Sequence, residues 1–456
     1  MNFYDRKNEL EALTKILNSE EKRFTVLYGR RRIGKTSLIK KAYENRDNFL
    51  YFFVEVKREE ALLKELSSLF SKAIYTNWYD LFTDLFEKFD HIIFDKFQNF
   101  FLVNSDILYS LQHAWDETKY NTKLTVLGSY TGLIKKIFME EKMPLFGRVN
   151  NFINLKKFNL KSGLEMLFDF GYDTEEALEI YSLVGGVPKY LWGFKNKDNL
   201  KNKIYELFIA DFSPFKEESK NILILEFGSE HRSYFSILEA IGGGNKTLKE
   251  IEDISKIPST SLSKYLNELV NNYEILKKEN SILDRKSRNA RYSINDEFFD
   301  FYFNLLGRYL SEIEFNPKSA LEKIYQQLPT HIGHQFENIC IQFLKEKPNY
   351  PGFLINNIGK SWGKVPYLKN LSYDIDIVAY NDDNILFGEC KWTNKKMGIK
   401  DLETLKLRSN YVNFGNKKTK YILFSKSGFT PELLKFQTDD LFLLTPDKMV
   451  SELFKD

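Results

Sequence analysis

The chain has only two cysteines in 456 residues, Cys340 and Cys390. Two thiols make neither a disulfide framework nor a cysteine-based zinc site, and so few suit a reducing compartment. Histidine is almost as scarce. The five residues, His91, His113, His231, His331 and His334, form no metal-ligand spacing. Only His331 and His334 are close; a plain surface role is the expectation for both, the alternative being a place near the acidic cluster of the C-terminal part. No apolar run reaches the roughly 18 residues of a membrane span. The opening Met1-Asn2-Phe3-Tyr4-Asp5-Arg6 does not read as a signal peptide. A cytoplasmic location is therefore expected. Proline is scarce, at 11 residues, which argues against long disordered linkers. Net charge is nearly absent as well: 66 Lys and Arg stand against 63 Asp and Glu. Any surface for nucleic acid has to be a local patch.

Hydrophobic residues at 43% and charged residues at 28% are the balance of ordinary globular protein. The length exceeds what one core supports and predicts two to four domains.

The most informative stretch begins with an apolar run, Phe24 to Tyr28, that predicts a buried strand. Gly29-Arg30-Arg31-Arg32-Ile33-Gly34-Lys35-Thr36 follows, and a helical run opens with Ser37, Leu38 and Ile39. This is G-x-x-x-x-G-K-T between a strand and a helix. The glycines let successive N–H groups face one concavity, and the positive end of the helix points into it. Lys35 can reach the β- and γ-phosphates of a nucleoside triphosphate, and the Thr36 hydroxyl can ligate Mg²⁺. Residues 29 to 37 are thus candidate ATP-binding residues. Ahead of them, Phe3, Arg6, Glu9 and Leu10 form F-x-x-R-x-x-E-L at the start of an amphipathic helix. That helix is either plain packing or a neighbour of the nucleotide base.

A second apolar run, Ile92-Ile93-Phe94, ends at Asp95. A carboxylate emerging there can hold Mg²⁺ beside the phosphate loop. Position 96 commonly carries a Glu that orients the attacking water, but here it is Lys96. The next strand, Leu124 to Leu127, leads through Gly128 to Ser129, placed either to sense the phosphate or merely to cap. Arg148, in Pro144-Leu145-Phe146-Gly147-Arg148, is a candidate cis arginine for the γ-phosphate or one member of a surface ion pair. Strands alternating with helices predict a three-layer parallel sheet to about residue 155. From about 160 to 225 the pattern is helical. Gly185 and Gly186 break one helix and Pro188 starts the next, which resembles the helical lid of AAA-type ATPases.

In this order, F-x-x-R-x-x-E-L, GRRRIGKTS, IIFDKF, LTVLGS, PLFGR and LVGGVPKYL resemble the archaeal ATPase family, a branch of the AAA+/STAND P-loop NTPases. The likeness covers roughly residues 1 to 225. Lys96 departs from the DEF motif usual in the family. The resemblance implies ATP and Mg²⁺ binding, questions hydrolysis and leaves room for a homo-oligomer.

Residues 231 to 310 predict three helices and a β-hairpin, a winged helix. Were it to bind DNA, Ser259, Ser261, Ser263 and Lys264 would face the major groove, and Lys286, Arg288 and Arg291 would meet phosphates. The alternative is protein contact, since Glu268, Glu274 and Glu279 dilute the positive face. A helix from Asp296 to Tyr309 and a less regular linker follow.

Beyond residue 331, His334 to Phe343 reads as a helix bearing Glu337. Tyr373 to Tyr380 and Ile385 to Trp392 read as hairpin strands around the turn Asn381-Asp382-Asp383-Asn384. Asp376 lies on the first. Glu389 and Lys391, two apart and so on one side, lie on the second. Two carboxylates on neighbouring strands can share Mg²⁺. A lysine beside them can orient the hydrolytic water and stabilise a phosphorane-like transition state. Glu337 would complete the acidic cluster. The plainer reading is a hairpin with solvated charges. The pieces GHQFENIC, YDIDIVA, ILFGECKW and LFSKSGF resemble DUF234, the domain that commonly follows archaeal ATPases, and the PD-(D/E)XK nuclease fold. That resemblance implies phosphodiester cleavage.

The expected architecture is α/β and multidomain: a P-loop core (1–155), a helical lid (156–226), a winged helix (227–312) and a PD-(D/E)XK-like domain (331–456). The expected function is nucleotide-gated action on nucleic acid, DNA first. The alternatives are a non-cleaving signalling or assembly ATPase, and a DNA-binding regulator with a degenerate nuclease fold.

Overall fold

The computed structural model describes residues 3–72, 74–129, 131–244, 246–283, 290–365, 372–412 and 414–455. The chain divides into two compact units, residues 1–157 with 271–273, and residues 158–270 with 274–456.

In the first unit, five strands form one parallel sheet: β1 (Arg23–Tyr28), β2 (Phe49–Phe53), β3 (His91–Asp95), β4 (Lys123–Gly128) and β5 (Asn151–Asn154). Their order is β2-β3-β4-β1-β5. β1, β3 and β4 are near-continuous apolar runs because helices cover both faces of the sheet. On one face Phe24, Val26, Leu124 and Val126 pack with Phe82, Leu85, Leu108 and Leu111. On the other, Leu27, Ile93 and Leu127 pack with Leu13 and Leu17 of the helix Lys7–Leu17 and with Leu38 and Ile39 of the helix Lys35–Ala42. Parallel strands share a direction, so the loops after β1, β3 and β4 emerge at one carboxyl edge.

The second unit opens with helices Leu160–Asp169, Thr174–Val184 and Pro188–Gly193. Gly185 sits at φ 60° just past the second of these. A Cβ on Gly186 would lie 2.0 Å from the Phe158 carbonyl oxygen, so only glycine fits that approach. Three helices follow, His231–Gly242, Leu248–Ser255 and Ser259–Asn271, then the antiparallel pair β6 (Leu276–Glu279) and β7 (Arg291–Ile294). The last sheet holds β8 (Asn357–Lys364), β9 (Ser372–Tyr380), β10 (Asn384–Lys391), β11 (Lys418–Ser425) and β12 (Leu441–Leu444) in the order β12-β11-β10-β9-β8. β8, β9 and β10 run antiparallel, whereas β10, β11 and β12 run parallel. The helix Ile399–Ser409 sends Leu402 and Leu405 against Ile375, Val378 and Phe387.

The less regular linker expected after residue 309 is instead helical. A helix of 30 residues, Pro317–Glu346, begins where the Asn316 side chain accepts from Ser319 N and Pro317 supplies a preset φ. It continues through Pro329 and carries Glu337, so a boundary at residue 331 falls inside it. An interior proline removes one backbone hydrogen bond from the helix. Burial of Ile324, Leu328, Ile332 and Phe336 along one face holds the helix together across it. His331 also departs from expectation: it is buried, not at the surface, and neither ring nitrogen is hydrogen-bonded. Burial lowers its pKa to about 3, keeping the ring neutral.

Candidate nucleotide site and candidate acidic site

The phosphate loop is shaped by backbone constraints. Gly29 has φ 145°, and a Cβ there would meet the Leu155 carbonyl oxygen at 2.4 Å. Gly34, the residue before the helix, has φ 90°, and Arg32 takes φ 72° despite its side chain. Left-handed backbone at a bulky residue costs of order 1 kcal/mol or more and persists where surroundings impose it. Part of that imposition comes from Arg6. Its guanidinium is buried and donates to the Ile33 carbonyl oxygen at 3.3 Å and the Lys156 carbonyl oxygen at 2.6 Å, while pairing with Glu9 at 3.2 Å. The F-x-x-R-x-x-E-L pattern thus braces the loop from behind.

Lys35 Nζ donates to the carbonyl oxygens of Gly29 and Arg30, both at 2.7 Å, curling over the loop. Thr36 Oγ1 donates to Asp95 Oδ2 at 3.0 Å, joining the loop after β1 to the end of β3. Tyr51 Oη donates to the same Asp95 oxygen at 2.7 Å. Ser129 follows β4 at the same edge and is buried. Lys96 holds φ 61° immediately after Asp95. Gly29 to Ser37, Asp95 and Ser129 are therefore gathered along one edge.

Arg148 is not among them. Asn150 N donates to the Phe24 carbonyl oxygen, and Asn151 registers with Thr25, so Arg148 lies at the amino end of β5 and β1. The loop lies at their carboxyl end. Arg148 instead pairs with Asp116 at 3.2 Å and donates to the Phe146 carbonyl oxygen at 2.8 Å. The ion-pair alternative is the one observed.

The candidate acidic site is built around an irregularity in β9. Gly359 registers with Val378 but Ser361 with Ile375, so Asp376 and Ile377 together oppose Lys360. Such a bulge re-aims side chains. Asp376 Oδ2 accepts from Cys390 N at 2.9 Å, which brings it to the end of β10 beside Glu389. Burial, then the charges of Glu337 and Glu389, push the Asp376 carboxyl up to about 8. Glu389 is also raised, by burial first, against the pull of Arg408 and Lys391. Glu337 pairs with Lys360 at 2.5 Å. Burial is the largest influence on Lys360 and works to lower it, but the charge and hydrogen bond of Glu337 together with the charges of Glu279 and Asp376 outweigh it, and the ammonium is held above its usual range. Glu389 Oε2 accepts from Arg408 Nη1 at 2.9 Å, and Lys391 Nζ pairs with Asp401. Arg408 and Asp401 both belong to the helix Ile399–Ser409, so Glu389 and Lys391 reach the same helix. Asp376 thus feels the charges of both Glu337 and Glu389, whereas Lys391 turns to Asp401. Among the described residues no three His, Cys, Asp or Glu side chains gather closely enough to hold a metal ion.

On the winged helix, Ser259, Ser261, Ser263 and Lys264 are all exposed, while Leu262, Leu266 and Leu269 form the buried stripe. Lys286 and Arg288 lie outside the described residues. Arg291, expected to meet phosphates, pairs with Asp374 at 3.0 Å and stacks over Trp362 at 4.4 Å. Its charge is engaged within the protein.

The relatives bear on these sites. A family model described as an ATPase domain predominantly from Archaea matches residues 3–194. The uncharacterized protein MJECL04 of Methanocaldococcus jannaschii is 32% identical over 410 residues, 86% of this chain and 88% of that protein. The chain belongs to the archaeal ATPase family. A second model, described as archaeal and bacterial proteins of unknown function and named DUF234, matches residues 302–403. The family match takes in the phosphate loop, Asp95 and Ser129, and the DUF234 match takes in Glu337, Lys360, Asp376, Glu389 and Lys391. The uncharacterized ATP-binding protein MJ0423 of the same organism is 52% identical over 44 residues, 10% of this chain and 75% of that protein. Among solved structures, the Aeropyrum pernix ORC2 protein, in ADPNP-ADP complexes, is similar at 15% identity and a TM-score of 0.35, over 72% of this chain and 95% of that one.

Tyr51, Lys360, Asp401 and Arg408 were absent from the sequence-derived sites. A tyrosine in an apolar strand, a lysine in β8 and charges on a helix carry no local signal of their partners. Arg6 had such a signal, its fixed place ahead of the phosphate-loop strand.

Proposed function

We propose that this archaeal ATPase binds ATP with Mg²⁺ through residues 29 to 37 and Asp95, and that nucleotide occupancy governs action on nucleic acid, DNA first, by its C-terminal domain. The observation that carries the first half is the hydrogen bond between Thr36 and Asp95. It joins two hard oxygen ligands, one at the start of the helix whose N–H groups can bind phosphate and one at the end of β3, where a cation site is needed. Ser129 stands by to sense the phosphate. The ATP-binding relative supports the same reading. Mg²⁺ supplies charge neutralisation of the phosphates, and the loop, Lys35 and the helix end orient them.

In the C-terminal domain, Asp376 feels the charges of Glu337 and Glu389, and drawing the three carboxylates together around a divalent cation would relieve that repulsion. In this reading Lys391 orients the hydrolytic water once released from Asp401. The winged helix offers Ser259, Ser261, Ser263 and Lys264 to a duplex. The four-part division into core, lid, winged helix and nuclease-like domain is part of the same proposal.

The test is a nuclease assay of the full chain on single- and double-stranded substrates, with and without ATP and Mg²⁺. Cleavage that needs the divalent ion and disappears in Glu389→Ala supports the reading. A second reading, an ATPase that does not cut and uses this domain for contacts, is favoured by the engagement of Lys391, Glu389 and Arg291 inside the protein. Absence of cutting on every substrate, with ATP binding intact, would select it.

A further inference from the structure

Tyr51 stands on β2, where it registers with Ile93 of β3, and Phe53 registers with Asp95. Its ring packs on the cluster that holds Leu38 and Ile39 of the phosphate-loop helix, on the face of the sheet that Ile93 also lines. From there its hydroxyl reaches Asp95 Oδ2 at 2.7 Å, and Thr36 Oγ1 reaches the same oxygen at 3.0 Å. One carboxylate oxygen thus receives two donors, one from the phosphate loop and one from a neighbouring strand. We propose that Tyr51 is a positioning residue that fixes the orientation of the Asp95 carboxylate and so sets how strongly a divalent cation enhances nucleotide binding. This rests on the reading that the site holds ATP with Mg²⁺.

A hydroxyl can ligate a cation through a lone pair and still donate its proton, provided that the acceptor is held in place. Thr36 needs Asp95 in a single orientation to do both. With Thr36 as its one donor, the carboxylate can turn about its terminal torsion, which has broad, shallow wells. The bond from Tyr51 removes that freedom. A phenol, whose ordinary pKa is about 10, remains a donor throughout the physiological range. Groups that orient a metal ligand typically change metal affinity by about 10- to 100-fold when removed.

The experiment titrates a fluorescent ATP analogue into full-length wild type and Tyr51→Phe, once in excess Mg²⁺ and once in EDTA. Phenylalanine keeps the ring against Leu38 and Ile39, and a thermal melt without nucleotide checks that the fold is unchanged. The expected result is equal affinity in EDTA, and a gain on adding Mg²⁺ that is about tenfold smaller in Tyr51→Phe than in wild type. An equal Mg²⁺ gain in the two proteins would overturn the proposal, as would a loss of the same size in EDTA, which would place Tyr51 in the nucleotide contact or the fold instead. If wild type binds no analogue under either condition, the ATP reading itself falls and this proposal falls with it.

Discussion

Lys96 concentrates the question of turnover in one side chain. A glutamate there would accept a hydrogen bond from the attacking water, whereas a protonated lysine has only donors to offer. Its backbone, at φ 61°, is held left-handed directly after Asp95, so the side chain leaves the end of β3 in an imposed direction. Wild-type single-turnover hydrolysis should fall well below the roughly 1 s⁻¹ at the low end of working enzymes. Lys96→Glu should be faster, by about 10²-fold if the carboxylate acts as a general base. A wild-type rate above that floor, or a mutant no faster, would refute the assignment. Asp376 makes a second prediction, with a definite sign. Its folded pKa, about 8, lies above the ordinary 3.8. Between those values the folded state binds the proton that the unfolded state has released, so this group makes the fold less stable as pH rises through the window. In metal-free buffer Asp376→Asn should therefore raise the melting temperature at pH 8 to 9, with a gain that shrinks toward pH 4. A gain independent of pH would show that the carboxyl is not the cause.

Among the described elements, the helix Pro317–Glu346 ties several others together. Its Glu337 meets Lys360 of β8, its Gln342 accepts from Tyr181, and its terminal Glu346 caps another helix. Glu346 Oε1 accepts from Leu160 N at 2.7 Å, and Oε2 from Lys161 N at 3.2 Å. A carboxylate at a helix amino terminus satisfies orphan N–H groups and opposes the dipole charge. Removing it should cost about 1–2 kcal/mol. Glu346→Ala is therefore expected to lower the melting temperature, and Glu346→Gln, which keeps an acceptor, to lower it less. Equal stability of all three proteins would mean that the cap is replaced by solvent. Lys426, just past β11, pairs with Glu175 at 2.7 Å and Glu179 at 3.5 Å on the helix Thr174–Val184.

For the whole molecule, one question is whether the winged helix meets a duplex or another protein. Arg291 is already engaged by Asp374 and Trp362, which leaves the exposed face of the helix Ser259–Asn271 as the described candidate surface. Lys264 carries charge there and pairs with Glu268 only at 4.0 Å. If this face binds DNA, Lys264→Glu should weaken binding and reduce the slope of log affinity against log salt by about one. Unchanged affinity and slope would favour protein contact. No described helix is long and apolar enough to cross a membrane, in keeping with the absence of long apolar runs in the sequence.

The phosphate loop, its strand and helix, and Asp95 at a strand end were legible because each is written within a few neighbouring residues. Two glycines, a Lys-Thr pair and an apolar run determine local backbone and chemistry wherever the chain is placed. The alternation of strands and helices likewise announced the parallel sheet, since only a sheet covered on both faces wants apolar runs of that kind. Other features depended on strand order and register, which the burial of an entire core decides. Register put Arg148 at the wrong end of the sheet for a phosphate, and strand order put Tyr51 beside Asp95, 44 residues away. In the C-terminal sheet, the extra residue in β9 turned Asp376 toward Cys390, and packing of one helix gave Lys391 to Asp401 and Glu389 to Arg408. The sequence by itself determined which chemical groups this protein carries and the short-range shape of the loop that presents them. Only the tertiary structure decided which of those groups meet, because a charge finds its partner across space and is indifferent to separation along the chain.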